Sequence, residues 1–86
     1  IWQLPNDDTI RKYNESEVAD VKNSGGRLGG TITAGQFIEN FIEEKPWVHL
    51  DIAGTAYLSK SQGLYEKGAT GVHVKTLYNL AKSYSK

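Results

Sequence analysis

Hydrophobic and polar positions alternate most regularly from Trp47 to Gly54, where a side-chain period of two puts Val48, Leu50 and Ile52 on one face. Trp47, His49, Asp51 and Ala53 share the other face. One face is wholly apolar and the other mixed, which predicts a buried strand that stops at a Gly54-Thr55-Ala56 turn. Open α/β sheets place ligands at the C-terminal ends of their strands, so this turn is the first place to look for function.

Two weaker strand patterns precede it. Ile1 to Pro5 alternates and is closed by proline, and Val18 to Asn23 sets Ala19 and Val21 against Val18, Asp20 and Lys22. Between them, Asn6-Asp7-Asp8 supplies capping side chains for a short helix carrying Ile10 and Tyr13. The clearest helical pattern follows a glycine-rich stretch. Thr33 and Gln36 fit a capping box, with Ile32 and Phe37 at the positions of a hydrophobic staple, and a start at Thr31 fits nearly as well. Ala34, Phe37, Ile38, Phe41 and Ile42 form one apolar stripe, and Pro46 ends the pattern.

Beyond the central strand, Tyr57 to Tyr65 reads as a polar loop and Lys67 to Gly71 as a glycine-punctuated turn. Thr70 is an N-cap candidate for a terminal helix in which Val74, Leu77, Ala81 and Tyr84 recur at helical spacing. The order β, α, β, α, β, loop, α predicts an α/β fold: a partial, mostly parallel sheet flanked by helices. Three strands leave two open edges, which predicts that further elements complete the sheet.

Composition sharpens that expectation. Eighty-six residues make a single unit, 1–86, and a chain this small buries only about 60% of its unfolded surface. Cysteine is absent and the two histidines, His49 and His73, are far apart, so neither a disulfide nor a zinc staple offsets the small core. The chain opens on Ile1 rather than methionine, and we expect it to be a piece of something longer. Ten basic and ten acidic residues cancel, with the basic ones scattered along the chain, which argues against nucleic acid or an anionic membrane as partner. No apolar run approaches the roughly 20 residues that cross a bilayer. With no signal-like start, the cytoplasm is the default compartment.

Candidate chemistry is sparse. The run Gly25 to Gly30 followed by Thr31 imitates a phosphate-binding loop but lacks the lysine that should follow the last glycine. Its alternative is a loop that lets backbone pass close to a neighbour. His49 and Asp51, two apart on a strand, point the same way and suit an acid-base or metal pair, yet no third ligand stands at useful spacing, which favours a structural role. The serines lack a glycine-flanked elbow, and Glu43 and Glu44 read as a solvated face. On residues alone, no catalytic site is complete.

Taken together, five motifs resemble one family in order and spacing. They are Ile1-Trp2-Gln3-Leu4-Pro5, Ala19-Asp20-Val21-Lys22-Asn23, the Gly29 to Ala34 run, Trp47 to Ala56, and Lys67-Gly68-Ala69-Thr70-Gly71. Over essentially all 86 residues the chain resembles the C-terminal segment of the leucyl (cytosol) aminopeptidase catalytic domain. The resemblance implies a cytoplasmic homohexameric hydrolase that removes leucine-like N-terminal residues from peptides. It implies two divalent metal ions, manganese or zinc, which activate a bridging water and polarise the peptide carbonyl. The family's metal-binding motif, of the form Asn-Thr-Asp-Ala-Glu-Gly-Arg, is absent here. The resemblance therefore places no catalytic residue and no metal ligand in this segment, which is expected to be inactive alone and to work with the rest of the catalytic domain. By position, Ser24, Ala53 and Ala56 correspond to wall positions of the pocket for the substrate's first side chain. Ser24 stands where a bulkier or more apolar residue is common, and Gly35 where alanine is usual. The reading from a different class is a stand-alone α/β binding or assembly module with a glycine-rich anion-binding loop.

Overall fold

Residues 1–84 are described by a computed structural model in which the chain divides into two units, Ile1–Leu50 and Asp51–Lys86. In the first unit, α1 (Asp8–Arg11) runs into a 3₁₀ turn (Lys12–Asn14), and a long irregular segment leads to α2 (Gly30–Glu39). The second unit holds a two-stranded antiparallel ribbon, β1 (Tyr57–Leu58) with β2 (Gly68–Ala69), and then α3 (Val74–Tyr84).

The predicted cap of α1 is present: Asp7, in an extended conformation, accepts a hydrogen bond from the Ile10 amide at 3.0 Å. The capping box predicted for α2 is not. The helix starts at Gly30, three residues before Thr33, behind Gly29 in the left-handed region (φ 62°), which glycine enters without a Cβ penalty. Thr33 Oγ1 instead donates back to the Gly30 carbonyl at 3.2 Å, and Gln36 Nε2 reaches Asn6 Oδ1 and the Asp7 carbonyl, both at 2.9 Å. The helix also ends well before Pro46. Asn40 Nδ2 takes the Gln36 and Phe37 carbonyls, satisfying acceptors that another helical turn would have used.

Polar groups line the inner face of α2. Thr33, Gly35 and Gln36 are buried, together with Asn14 from the 3₁₀ turn. Of the predicted apolar stripe, Phe37 and Ile42 are half-buried, whereas Ala34, Ile38 and Phe41 are exposed. The Phe37 and Phe41 rings meet each other, with centroids 5.3 Å apart. Among the described residues no hydrophobic side chain is fully buried.

The sheet differs from expectation in hand and place. None of the three predicted strands, 1–5, 18–23 or 47–53, joins a ladder among the described residues; the sheet that forms is antiparallel and lies in the predicted loop and turn. Alternation marks which faces would be covered, but a ladder also needs a partner edge. Tyr57 pairs with Ala69 and Leu58 with Gly68, and the Gln62 and Tyr65 bridge closes the hairpin tip. The fold is α/β in class, with helices and a sheet, and among the described residues that sheet is the antiparallel pair alone.

Candidate functional site

The first unit carries its polar cleft beside the glycine-rich loop. Asn14, 3% exposed, donates from Nδ2 to the Thr33 carbonyl at 2.8 Å, while its own carbonyl accepts from the Lys22 amide at 2.7 Å. The side chain of this one residue thus ties the 3₁₀ turn to α2, and its backbone carbonyl ties the turn to the segment entering the loop. Gly25 crosses directly above it; a methyl added there would lie 2.6 Å from Asn14 Oδ1 and 2.9 Å from Thr33 Cβ. Only glycine permits that approach, so the loop passes close to a neighbour at Gly25, whereas a methyl on Gly26 or Gly30 would meet nothing within 4 Å. The cleft beside it has a volume of about 140 Å³ and is lined by Ser24, Gly26, Gly30 and Thr33 among others.

Chemically this cleft is mild. Its lining offers two hydroxyls, two side-chain amides and small residues, with no Lys, Arg, His, Asp or Glu. It can hold a polar or small apolar group but cannot transfer a proton near neutral pH. No basic residue lines it to balance a bound anion, so an anion there would depend on the backbone amides opening α2. Ser24 is exposed at this cleft.

Ala53 and Ala56 belong to the second unit, on a tight turn built from its own backbone. Thr55 and Ala56 amides both donate to the Ile52 carbonyl, at 3.0 and 2.8 Å, and Asp51 Oδ1 accepts from the Ala53 amide at 2.9 Å. Asp51 therefore shapes the turn, an Asx-type role that period-two reasoning could not show. Ala53 is exposed and Ala56 half-buried. Thr70, predicted to cap α3, instead grips this turn: its amide donates to the Ala56 carbonyl at 2.9 Å and its hydroxyl to the Thr55 carbonyl at 2.6 Å. The helix starts later, at Val74, preceded by His73 with φ 66°.

His49 is half-buried in the first unit, edge-on to Trp47 with ring centroids 6.2 Å apart. A methyl placed on Gly35 would touch the His49 ring at 3.5 Å, so the imidazole packs over a residue without a side chain. Packing, rather than ligation, occupies it. Among the described residues, no three His, Asp or Glu side chains gather where they could hold a metal ion. Among the described residues no helix is long and apolar enough to cross a membrane.

The chain places small, unreactive side chains on the 52–56 turn of one unit and around the polar cleft of the other. Comparison with known proteins gives it a family. The description that matches residues 1–78 is "Cytosol aminopeptidase family, catalytic domain", and the chain belongs to that family. It is 54% identical over 84 residues to the probable cytosol aminopeptidase of Clostridium tetani (strain Massachusetts / E88), covering 98% of this chain and 18% of the relative. It is also 54% identical over 86 residues to the probable cytosol aminopeptidase of Alkaliphilus metalliredigens (strain QYMF), covering 100% of this chain and 17% of the relative. That of Treponema denticola is 51% identical over 80 residues, covering 91% of this chain and 17% of the relative. The chain therefore spans less than a fifth of the length of the curated relatives it matches. No solved structure matches it.

Proposed function

We propose that these residues are the C-terminal segment of the catalytic domain of a metal-dependent leucyl aminopeptidase, which hydrolyses leucine-like N-terminal residues from peptides. The observation that carries this reading is identity near 50% sustained along the whole chain with proteins named cytosol aminopeptidases. In the intact enzyme the segment contributes scaffold and part of the pocket for the substrate's first side chain, through Ser24, Ala53 and Ala56. The two divalent metal ions, manganese or zinc, would supply water activation and carbonyl polarisation. Their ligands lie in the rest of the catalytic domain. The extended 47–53 segment gains ladder partners there, and the sheet becomes mostly parallel. We read the intact protein as a cytoplasmic homohexamer.

The exposed apolar side chains support incompleteness: Trp2, Val48 and Leu64 lie open to solvent in a chain that buries no hydrophobic side chain among its described residues. The test has two arms. The full-length enzyme hydrolyses leucyl-p-nitroanilide with added manganese and loses that activity in chelator, while the purified 86-residue chain gives no hydrolysis above buffer with or without metal. Metal-dependent turnover by the 86-residue chain would overturn the division of labour. For the pocket wall, Ala56→Leu should lower hydrolysis of leucyl relative to alanyl substrates, because a branched side chain takes the volume the substrate would fill.

A further inference from the structure

The Lys67-Gly68-Ala69-Thr70-Gly71 motif has no chemistry of its own, yet it makes three hydrogen bonds that converge on one residue. Thr70 donates from its amide to the Ala56 carbonyl at 2.9 Å and from its hydroxyl to the Thr55 carbonyl at 2.6 Å. The same hydroxyl oxygen accepts from the Val72 amide at 3.3 Å, which turns the lone pair inward and leaves the hydroxyl proton for Thr55.

The placement of that residue follows from the ribbon. Tyr57 pairs with Ala69, so the next step outward along the register brings Thr70 opposite Ala56. Gly68 (φ 118°) and Gly71 (φ 67°) flank it in conformations that side chains rarely adopt, and they let the chain pleat sharply on both sides of Ala69-Thr70. The turn that Thr70 holds is otherwise closed by local bonds to the Ile52 carbonyl and to Asp51. Those bonds fix its internal shape. The two Thr70 bonds tie the end of that turn to the residue that follows β2.

Resting on the reading of Ala53 and Ala56 as pocket wall, we infer that Thr70 is a positioning residue for substrate selection: by clamping the Thr55 and Ala56 carbonyls it sets where those two methyl groups meet the substrate's first side chain. Thr70 touches no substrate itself. Its loss would let the turn drift, and drift matters most to a side chain long enough to reach the wall. A leucine fills the pocket to that wall and an alanine does not, so the cost falls unequally on the two.

The experiment is done in the full-length enzyme with leucyl- and alanyl-p-nitroanilide. Thr70→Val keeps the shape of the side chain and removes the hydroxyl; the ratio of leucyl to alanyl kcat/KM should fall about tenfold, the low end of the loss expected for one methylene contact. Thr70→Ser keeps the hydroxyl and should restore most of the ratio. Hydrogen exchange of the peptide spanning 52–58 should quicken in the valine variant and not in the serine one. Equal losses on both substrates, or a serine variant as impaired as the valine one, would overturn the proposal. If Thr70→Val fails to fold, Thr70→Ala carries the same comparison without added bulk. Ala56→Leu separates the two readings. If it shifts the ratio and Thr70→Val does not, only the role of Thr70 is lost; if neither shifts it, the pocket wall is lost as well.

Discussion

Two glycines show how far single residues decide this structure, and they do so with opposite signs. At Gly25 a methyl would sit 2.6 Å from Asn14 Oδ1 and 2.9 Å from Thr33, both anchored by the Asn14 bond to the Thr33 carbonyl. Either neighbour can withdraw only by disturbing that bond, so Gly25→Ala should destabilise the full-length protein by about 1 to 3 kcal/mol. At Gly35, inside α2, the methyl meets only the His49 ring at 3.5 Å, an ordinary contact. Gly35→Ala should therefore stabilise by about 0.5 to 1 kcal/mol, through helix propensity and a less flexible unfolded chain. Thermal unfolding midpoints of the two variants against the parent check both; a rise for Gly25→Ala would contradict the clamp at Asn14. Sequence alone pointed to Gly35 as a departure from the family's usual alanine, and to the 25–30 run as a place of close approach. It did not point to Asn14. An asparagine in a polar stretch carries no period, and its burial is decided by a partner 19 positions away.

At the scale of elements, α1 and α2 are held together by polar side chains rather than by a shared apolar seam. Arg11 Nη1 pairs with Glu39 Oε2 at 2.8 Å, Arg11 Nη2 donates to Asn6 Oδ1 at 3.2 Å, and the buried Gln36 amide reaches the same Asn6 oxygen. The Glu39 carboxylate is the main reason the Arg11 guanidinium titrates above its ordinary value, with Asp8 adding to it against a small cost of burial. A raised folded-state pKa contributes stability that is complete below the unfolded-state value and is lost only as pH climbs through the folded one. For arginine that window lies in strong alkali, so its own titration removes nothing near neutrality. The Arg11 side chain is 36% exposed, and screening keeps the pair small. Arg11→Gln should cost about 0.2 to 1 kcal/mol at low ionic strength and less in concentrated salt, read from denaturation midpoints at two salt levels. A cost independent of salt would mean that packing of the arginine stem, not charge, is what is lost.

The same elements show what sequence could and could not convey. Caps and breakers are local, so the Asp7 cap, the helix beginning near residue 30 and the helix beginning near residue 74 were legible within a few positions. Strands are not local. The alternation from Trp47 to Ala53 names two faces, but the ladder that would make it a strand has no partner among the described residues. Thr70 misled in an instructive way: a threonine before a helix reads as a cap, and its hydroxyl is spent on a carbonyl 15 residues upstream instead.

On the scale of the whole molecule, most large apolar side chains among the described residues lie open to solvent. On α3, Leu77 and Leu80 are 53% and 52% exposed and the helix packs against neither strand of its unit. In the first unit, Phe41 and Val48 are 61% and 81% exposed. Burying such side chains is worth about 1.5 to 3 kcal/mol each, which is the gain that must offset roughly 1 to 2 kcal/mol of backbone ordering per residue. With that gain unrealised, polar clamps such as Asn14, Gln36 and Thr70 organise local structure without a core to make its loss cooperative. The isolated chain should accordingly show a broad thermal transition and bind a hydrophobic dye before it melts, whereas the full-length enzyme should melt sharply and leave the dye dark at low temperature. On the proposed reading, adding the rest of the catalytic domain to the isolated chain should quench the dye and sharpen the transition, because the apolar faces then have a surface to meet. A sharp, dye-free transition of the chain alone would show that it holds a core of its own, and the reading of its apolar faces as surfaces for the rest of the catalytic domain would fail with it.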